Sequence, residues 1–206
     1  VVACNTASAA ALSSLREQLP AVHFIGMEPA VKPAVAHTRT GVVGVIATVS
    51  TMQSAVFASV VERFGQGVEV IQQACPGLVR QIEAGAFDTP RTEQMLRGWL
   101  EPMLDRGIDA LVLGCTHYPM VQPLIERIVG PEVRVIDPAP AIARRVEHVL
   151  HEQHRLATTT GTGTFTCWTS GDVEPFRSML TYLDLPTDDV HMACWSGDTR
   201  VTPCTS

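Results

Sequence analysis

Apolar residues along this chain follow two alternating rhythms. Nearly unbroken apolar runs of strand length stand at residues 1–3, 23–25, 41–48, 68–72, 109–113, 133–137, 165–169 and 190–195. Between them lie longer stretches with apolar positions every three or four residues, at 7–18, 50–64, 77–83, 90–105, 121–129, 140–154 and 173–183. The first rhythm predicts strands and the second amphipathic helices. Gly41-Val-Val-Gly-Val-Ile-Ala-Thr48 has no charged interruption, as expected of a strand covered on both faces. Residues 28–35, broken by Pro29 and Pro33, predict a turn or short helix. Pro20 closes the first helix, and Thr89-Pro90 reads as an N-cap followed by proline at the first helical position. Strands alternating with helices throughout predict a parallel α/β architecture.

Composition narrows the class without naming it. A chain of 206 residues with 46% hydrophobic and 17% charged residues can bury a sizeable core. Its net charge of −6 offers no basic footprint for nucleic acid or an anionic membrane. No apolar run approaches the roughly 20 residues that a membrane span needs. No export signal is visible, so the six cysteines are expected as free thiols in a cytoplasmic protein. None of them forms a Cys-x-x-Cys pair, which speaks against a structural zinc site. Lys32 is the single lysine and is crowded by prolines, so pyridoxal phosphate chemistry lacks a good anchor. Residues after Trp195 carry no pattern and are expected to be disordered.

The chemistry concentrates in two loops. Leu111-Val-Leu-Gly-Cys-Thr-His-Tyr-Pro119 places a thiol, a hydroxyl and an imidazole directly after an apolar strand, where open α/β sheets hold their ligands. Val1-Val-Ala-Cys-Asn-Thr-Ala-Ser8 repeats the idea at the start of the chain. Two strand-end thiols, Cys4 and Cys115, each flanked by Asn or Thr, suggest one pocket with a thiol on each side. Thr48 and Thr51 end a further strand near the same edge. Two alternatives stay open for the thiols, burial as packing residues and a metal site built with His117. Cys75, Cys167, Cys194 and Cys204 read as packing or surface residues, Tyr118 as packing, and His148, His151 and His154 as a solvated helix face.

With Ala3-Cys-Asn-Thr-Ala-Ser8 and Gly114-Cys-Thr-His-Tyr-Pro119 both present, the chain resembles the glutamate racemases of the cofactor-independent aspartate/glutamate racemase superfamily. The likeness extends through Gly26-Met-Glu-Pro29, Gly44-Val-Ile-Ala-Thr-Val-Ser-Thr51, Ala74-Cys-Pro76 and Ile136-Asp-Pro138, covering most of the chain to about Arg145. It implies two pseudo-symmetric parallel-sheet α/β domains with the active site between them. One would join residues 1–40 to 137–206, and the other would span residues 41–136. It implies a PLP-independent isomerase that interconverts L- and D-glutamate and supplies peptidoglycan synthesis, with no cofactor and no metal. Cys4 and Cys115 would be the catalytic acid/base pair and His117 the assistant of Cys115. Asn5, Thr6, Thr116, His117, Thr48 and Thr51 would contact substrate, and Glu83 would be an auxiliary carboxylate. The only expected ligand is a small amino acid; a homodimer is compatible with the resemblance, and neither nucleic acid nor membrane is expected. Family members also carry an Asp-Ser-Gly loop and a later Tyr-Gly pair ahead of the first cysteine, and both are absent here. On that ground the chain is expected to be a C-terminal portion, with an incomplete first domain and poor activity. Racemisation of aspartate or another amino acid, and a ligand-binding fragment without turnover, remain the alternatives.

Overall fold

The computed structural model describes residues 1–158, 161, 163–197 and 200–204. Two compact units divide them: Val1–Ile82 with Ala86–Leu156, and Glu83–Gly85 with Ala157–Ser206. The first opens with α1 (Asn5–Gln18) and α2 (Val31–His37). Then come β1 (Val42–Ala47), α3 (Val49–Met52), α4 (Ala55–Phe64), β2 (Glu69–Ala74), α5 (Leu78–Glu83) and α6 (Pro90–Leu104). It continues with β3 (Ala110–Gly114), a 3₁₀ turn (Tyr118–Val121), α7 (Gln122–Val129), β4 (Arg134–Ile136) and α8 (Ala139–Glu152). The four strands form one all-parallel sheet in the order β2-β1-β3-β4.

Side-chain alternation along β1 and β3 splits the core into two layers. Val43, Val45, Ala110 and Val112 meet Val31, Ala34, Phe57 and Val60 on one face. Ile46, Leu111 and Leu113 meet Leu96, Leu100, Met103, Leu124 and Ile125 on the other. All five residues of β3 are buried, which explains its unbroken apolar run. Each large aliphatic side chain taken fully out of water contributes roughly 1.5–3 kcal/mol, so β3 and its neighbours anchor the unit.

Register fixes where the strand ends fall. Ala47 stands opposite Ala74 on one side and Gly114 on the other, so β2, β1 and β3 end in a single row. Gly114 is required there. A Cβ at this position would stand 2.8 Å from both Ala47 Cβ and Ile46 O, neither of which can swing aside. Gly114→Ala is expected to cost about 1–3 kcal/mol of stability, as overpacked cores do, measured by urea unfolding. Gly44→Ala is the milder control, because its Cβ would meet the flexible ends of Met103 and Leu111.

Asp109 pins the entry to β3. Its carboxylate accepts from Thr38 Oγ1 at 2.5 Å and from the amides of Arg39 at 2.6 Å and Thr40 at 3.1 Å. Burial alone would raise this carboxyl, but the hydrogen bonds outweigh it and hold the group at about 2. A carboxyl depressed on folding adds stability above its unfolded value near 4, and loses it as pH falls through the folded value. At pH 7, Asp109→Asn is expected to be less stable than the parent by about 2 kcal/mol, a gap that closes between about pH 4 and pH 2. Urea midpoints for both proteins across that range check the sign.

The second unit holds β5 (Cys167–Thr169), α9 (Val173–Tyr182), β6 (Val190–Ser196) and β7 (Arg200–Pro203). β5 runs parallel to β6, and β7 antiparallel to it. Val173, Phe176 and Leu180 of α9 pack on Cys167 and Val190.

Several expectations are corrected. Residues 1–3 and 23–25 are not strands; one backbone bond, Val2 N to Ile25 O at 2.8 Å, joins them, and no ladder forms. The helix expected at 50–64 is two, because Thr48 caps α3 and Ser54 caps α4, the latter accepting from Phe57 N at 3.1 Å. The residues after Trp195 are not all disordered: Arg200–Pro203 pairs with β6, and Cys204 N donates to Met192 O at 3.1 Å. Cys194 and Cys204 form a disulfide across this hairpin, not two free thiols. Within the linker at 158–163, residues 159, 160 and 162 lie outside the described residues. Among the described residues, no helix is long and apolar enough to cross a membrane.

Candidate active site

The common strand-end row sets the site. The residues that follow it are Cys75 after β2, Thr48 after β1 and Cys115 after β3, all at the carboxyl edge of one sheet. Thr48 turns the chain into α3 by accepting from Thr51 N at 3.2 Å. Its Oγ1 also lies 3.0 Å from Thr51 Oγ1.

Thr6, from the first turn of α1, closes this pair into a triangle. Its Oγ1 lies 2.9 Å from Thr48 Oγ1 and 3.0 Å from Thr51 Oγ1. Three hydroxyls at these spacings satisfy one another in a ring, each giving one proton; Thr6 and Thr51 each keep a free lone pair, while Thr48 uses its second on Thr51 N. The ring ties the N-terminus of α1 to the end of β1, and so places Cys4, Asn5 and Thr6 at the sheet edge. Cys4 is the N-cap of α1, its Sγ accepting from Ala7 N at 3.5 Å. The positive end of a helix dipole at this cap favours negative charge. Ser8 secures the same turn from behind, donating to Val2 O at 3.1 Å and accepting from Met27 N at 2.9 Å.

Asn5 is 3% exposed, yet both its amide oxygen and nitrogen lack a hydrogen-bond partner among the described residues. Buried amides are normally paired, and an orphaned one marks a place where a ligand or water belongs. On the neighbouring strand end, Cys115 is buried with its Sγ 3.9 Å from His117 Nδ1. Thr116 and His117 are half-buried beside it. Glu83 is the exposed last residue of α5. Among the described residues, no group of three or more His, Cys, Asp or Glu side chains could hold a metal ion.

Two neighbours of Cys115 were read from sequence as plain packing. Tyr118 is fully buried, with its hydroxyl set against the Cys75 thiol. Burial pushes the Cys75 thiol up to about 12, with the Tyr118 hydroxyl opposing and the nearby Cys115 adding to the rise. The signal for Cys75 was its position, directly after a strand, like Thr48 and Cys115.

Comparison with known proteins agrees with this arrangement. The model of the Asp/Glu/hydantoin racemase family matches residues 1–146, which hold every element of the parallel sheet and both thiol loops. The chain belongs to this family. It is an amino-acid racemase by that membership. A glutamate racemase of Roseiflexus sp. is 50% identical over 94% of this chain and 71% of its own length. The glutamate racemase of Francisella tularensis solved with D-glutamate matches with a TM-score of 0.79 at 28% identity, over 96% of this chain and 73% of that one. The Escherichia coli glutamate racemase solved with L-glutamate and the activator UDP-MurNAc-Ala matches equally, with a TM-score of 0.79 at 28% identity over 96% and 74%. The α/β fold of this racemase is thus the fold of those enzymes.

Proposed function

We propose that this racemase interconverts L- and D-glutamate by a two-thiol proton transfer at Cα. The observation that carries the reading is the hydroxyl triangle, which brings Cys4 to the sheet edge at which Cys115 emerges. In the forward sense, the Cys115 thiolate takes the α-proton of L-glutamate on one face, and the Cys4 thiol gives its proton to the opposite face. The reverse direction exchanges the two roles, and no oxidant, metal or carbonyl cofactor enters the balance. The Cys115–His117 contact gives the second thiol a partner for its proton.

The substrate's polar groups find matching partners. Free lone pairs on Thr6 and Thr51 suit an α-ammonium, and the orphaned Asn5 amide offers both a donor and an acceptor. Thr116 and the amides opening α1 would take up carboxylate. Relatives named as glutamate racemases, one bound to each enantiomer, support glutamate over aspartate. Product D-glutamate would serve peptidoglycan synthesis in the cytoplasm. We infer lobes of residues 1–40 with 137–206 and of residues 41–136, as the family resemblance implies.

The test is proton NMR of L- and D-glutamate in D₂O without added cofactor or metal. It uses this chain and a version extended at its N-terminus by an Asp-Ser-Gly-bearing segment. Loss of the α-proton signal from both enantiomers, together with their interconversion, supports the reading. Binding of glutamate by calorimetry without exchange in either chain overturns it in favour of a binding protein. Exchange of aspartate in preference to glutamate overturns the substrate.

A further inference from the structure

Residues 1–3 and 23–27 come within one bond of a parallel bridge. Val2 N donates to Ile25 O at 2.8 Å. In a parallel pairing the amide two residues past that acceptor, Met27 N, would close the bridge on Val2 O. Here the Ser8 hydroxyl stands between the two, accepting from Met27 N at 2.9 Å and donating to Val2 O at 3.1 Å. One hydroxyl satisfies both backbone groups and holds them apart by its own width. The wedge is enclosed, with Ser8 5% and Met27 3% exposed. Gly26 leaves room for it, because a Cβ there would collide with Leu12 and stand 3.2 Å from Ser8 Oγ.

We propose that Ser8 is a positioning residue for Cys4, its hydroxyl replacing one ladder bond so that Val2 and Ala3 enter α1 at the angle that sets the Cys4 thiol on its cap. The inference rests on the racemase reading, in which the Cys4 thiol faces the α-carbon. Ser8 grips Cys4 from both sides. Its amide donates to Cys4 O at 2.8 Å, and its hydroxyl holds Val2, two residues ahead of the thiol. Between those grips, Cys4 Sγ accepts from Ala7 N at 3.5 Å. Without the wedge, Met27 N closes directly on Val2 O and draws the entry to α1 with it. A thiol pulled off the cap loses the amide that favours its thiolate. Cys115, carried on the end of β3, serves as the internal reference.

The test is iodoacetamide alkylation of Cys4 and Cys115 at pH 7.5, resolved by peptide mass spectrometry, in the parent chain and three variants. Ser8→Ala removes the wedge, Ser8→Thr keeps the hydroxyl, and Gly26→Ala keeps Ser8 but crowds it. Cys4 is expected to react about fivefold more slowly in Ser8→Ala, as loss of one hydrogen bond to the reacting sulfur implies, with Cys115 unchanged. Ser8→Thr is expected to restore the parent rate, and Gly26→Ala to slow Cys4 in the same sense. In D₂O, α-proton exchange of D-glutamate by Ser8→Ala is expected to fall about tenfold or more relative to that of L-glutamate, because a displaced base loses its aim. An unchanged ratio of Cys4 to Cys115 alkylation overturns the inference, as does an equal loss at both thiols with a lower melting temperature. A Ser8→Thr protein that melts like the parent yet leaves Cys4 slow overturns it too. Should Ser8→Ala fail to fold, the ratio in Gly26→Ala decides by the same criterion. Because alkylation needs no turnover, selective slowing of Cys4 without glutamate exchange in the parent would overturn the racemase reading and leave the Ser8 wedge standing.

Discussion

Cys4→Ala and Cys115→Ala are each expected to slow interconversion of the glutamate enantiomers by about 10³-fold or more, because a positioned acid or base contributes roughly 10²–10⁴ in rate. The two losses differ in kind. With Cys4 absent, Cys115 still faces the α-proton of L-glutamate and can wash it into D₂O, returning deuterium to the same face. With Cys115 absent, the same residual exchange falls on D-glutamate. Each variant should therefore retain weak exchange of one enantiomer, opposite between the two, with inversion lost in both. Proton NMR reads the exchange, and circular dichroism of the reaction mixture reads the inversion. Loss of exchange from both enantiomers in each variant would point to a concerted path or a common structural collapse, and melting temperatures separate those. Unimpaired inversion in either variant would remove that thiol from the mechanism. Little collapse is expected at Cys4, a half-exposed cap, and a modest cost at buried Cys115.

The parallel sheet was legible because its signals are local. The apolar run at β3 is continuous because all five residues are buried, and Thr89 caps α6 as its sequence position indicates. What stayed hidden depends on partners far along the chain. Thr6 is marked by its motif, but its pairing with Thr48 and Thr51 exists only once the fold sets the three hydroxyls together. Asp109 looks like a strand-entry carboxylate, and only the turn at residues 38–40 makes it an anchor. The Cys194–Cys204 bridge closes a hairpin whose second strand has no alternating pattern, so spacing alone carried no hint of it. His23-Phe-Ile25 erred in the opposite sense. Strand propensity there is real, but a single backbone bond to Val2 cannot make a ladder. Among the site residues, the thiols and their flanking hydroxyls were marked by motif. The missing pairing of Asn5 was not, because an unsatisfied atom is a property of packing and leaves no trace in sequence.

Asn5→Leu is expected to raise stability while reducing racemisation about 100-fold or more, a pairing that ordinary core variants do not show. Asn5 occupies the first position of α1, nearly fully buried, with neither end of its amide satisfied. An unmet buried amide destabilises the native state by about 1–3 kcal/mol, and leucine of similar size removes that penalty while adding apolar burial. The cap itself is untouched, because Cys4 Sγ and Thr6 Oγ1 make the local hydrogen bonds. A gain of about 1–2 kcal/mol in urea unfolding is therefore expected for the ligand-free protein. The same substitution leaves glutamate without the donor and acceptor that await it beside Cys4. Sites that reserve unpaired polar groups for a substrate lose discrimination steeply when those groups are removed. The stabilisation by saturating glutamate, seen as a rise in melting temperature, should shrink in the variant along with the rate. A destabilised Asn5→Leu protein would mean that a water or a local contact satisfies the amide in solution. A stabilised protein with unimpaired turnover would mean that substrate never reaches Asn5, and the hydroxyl triangle would then have to hold the ammonium alone.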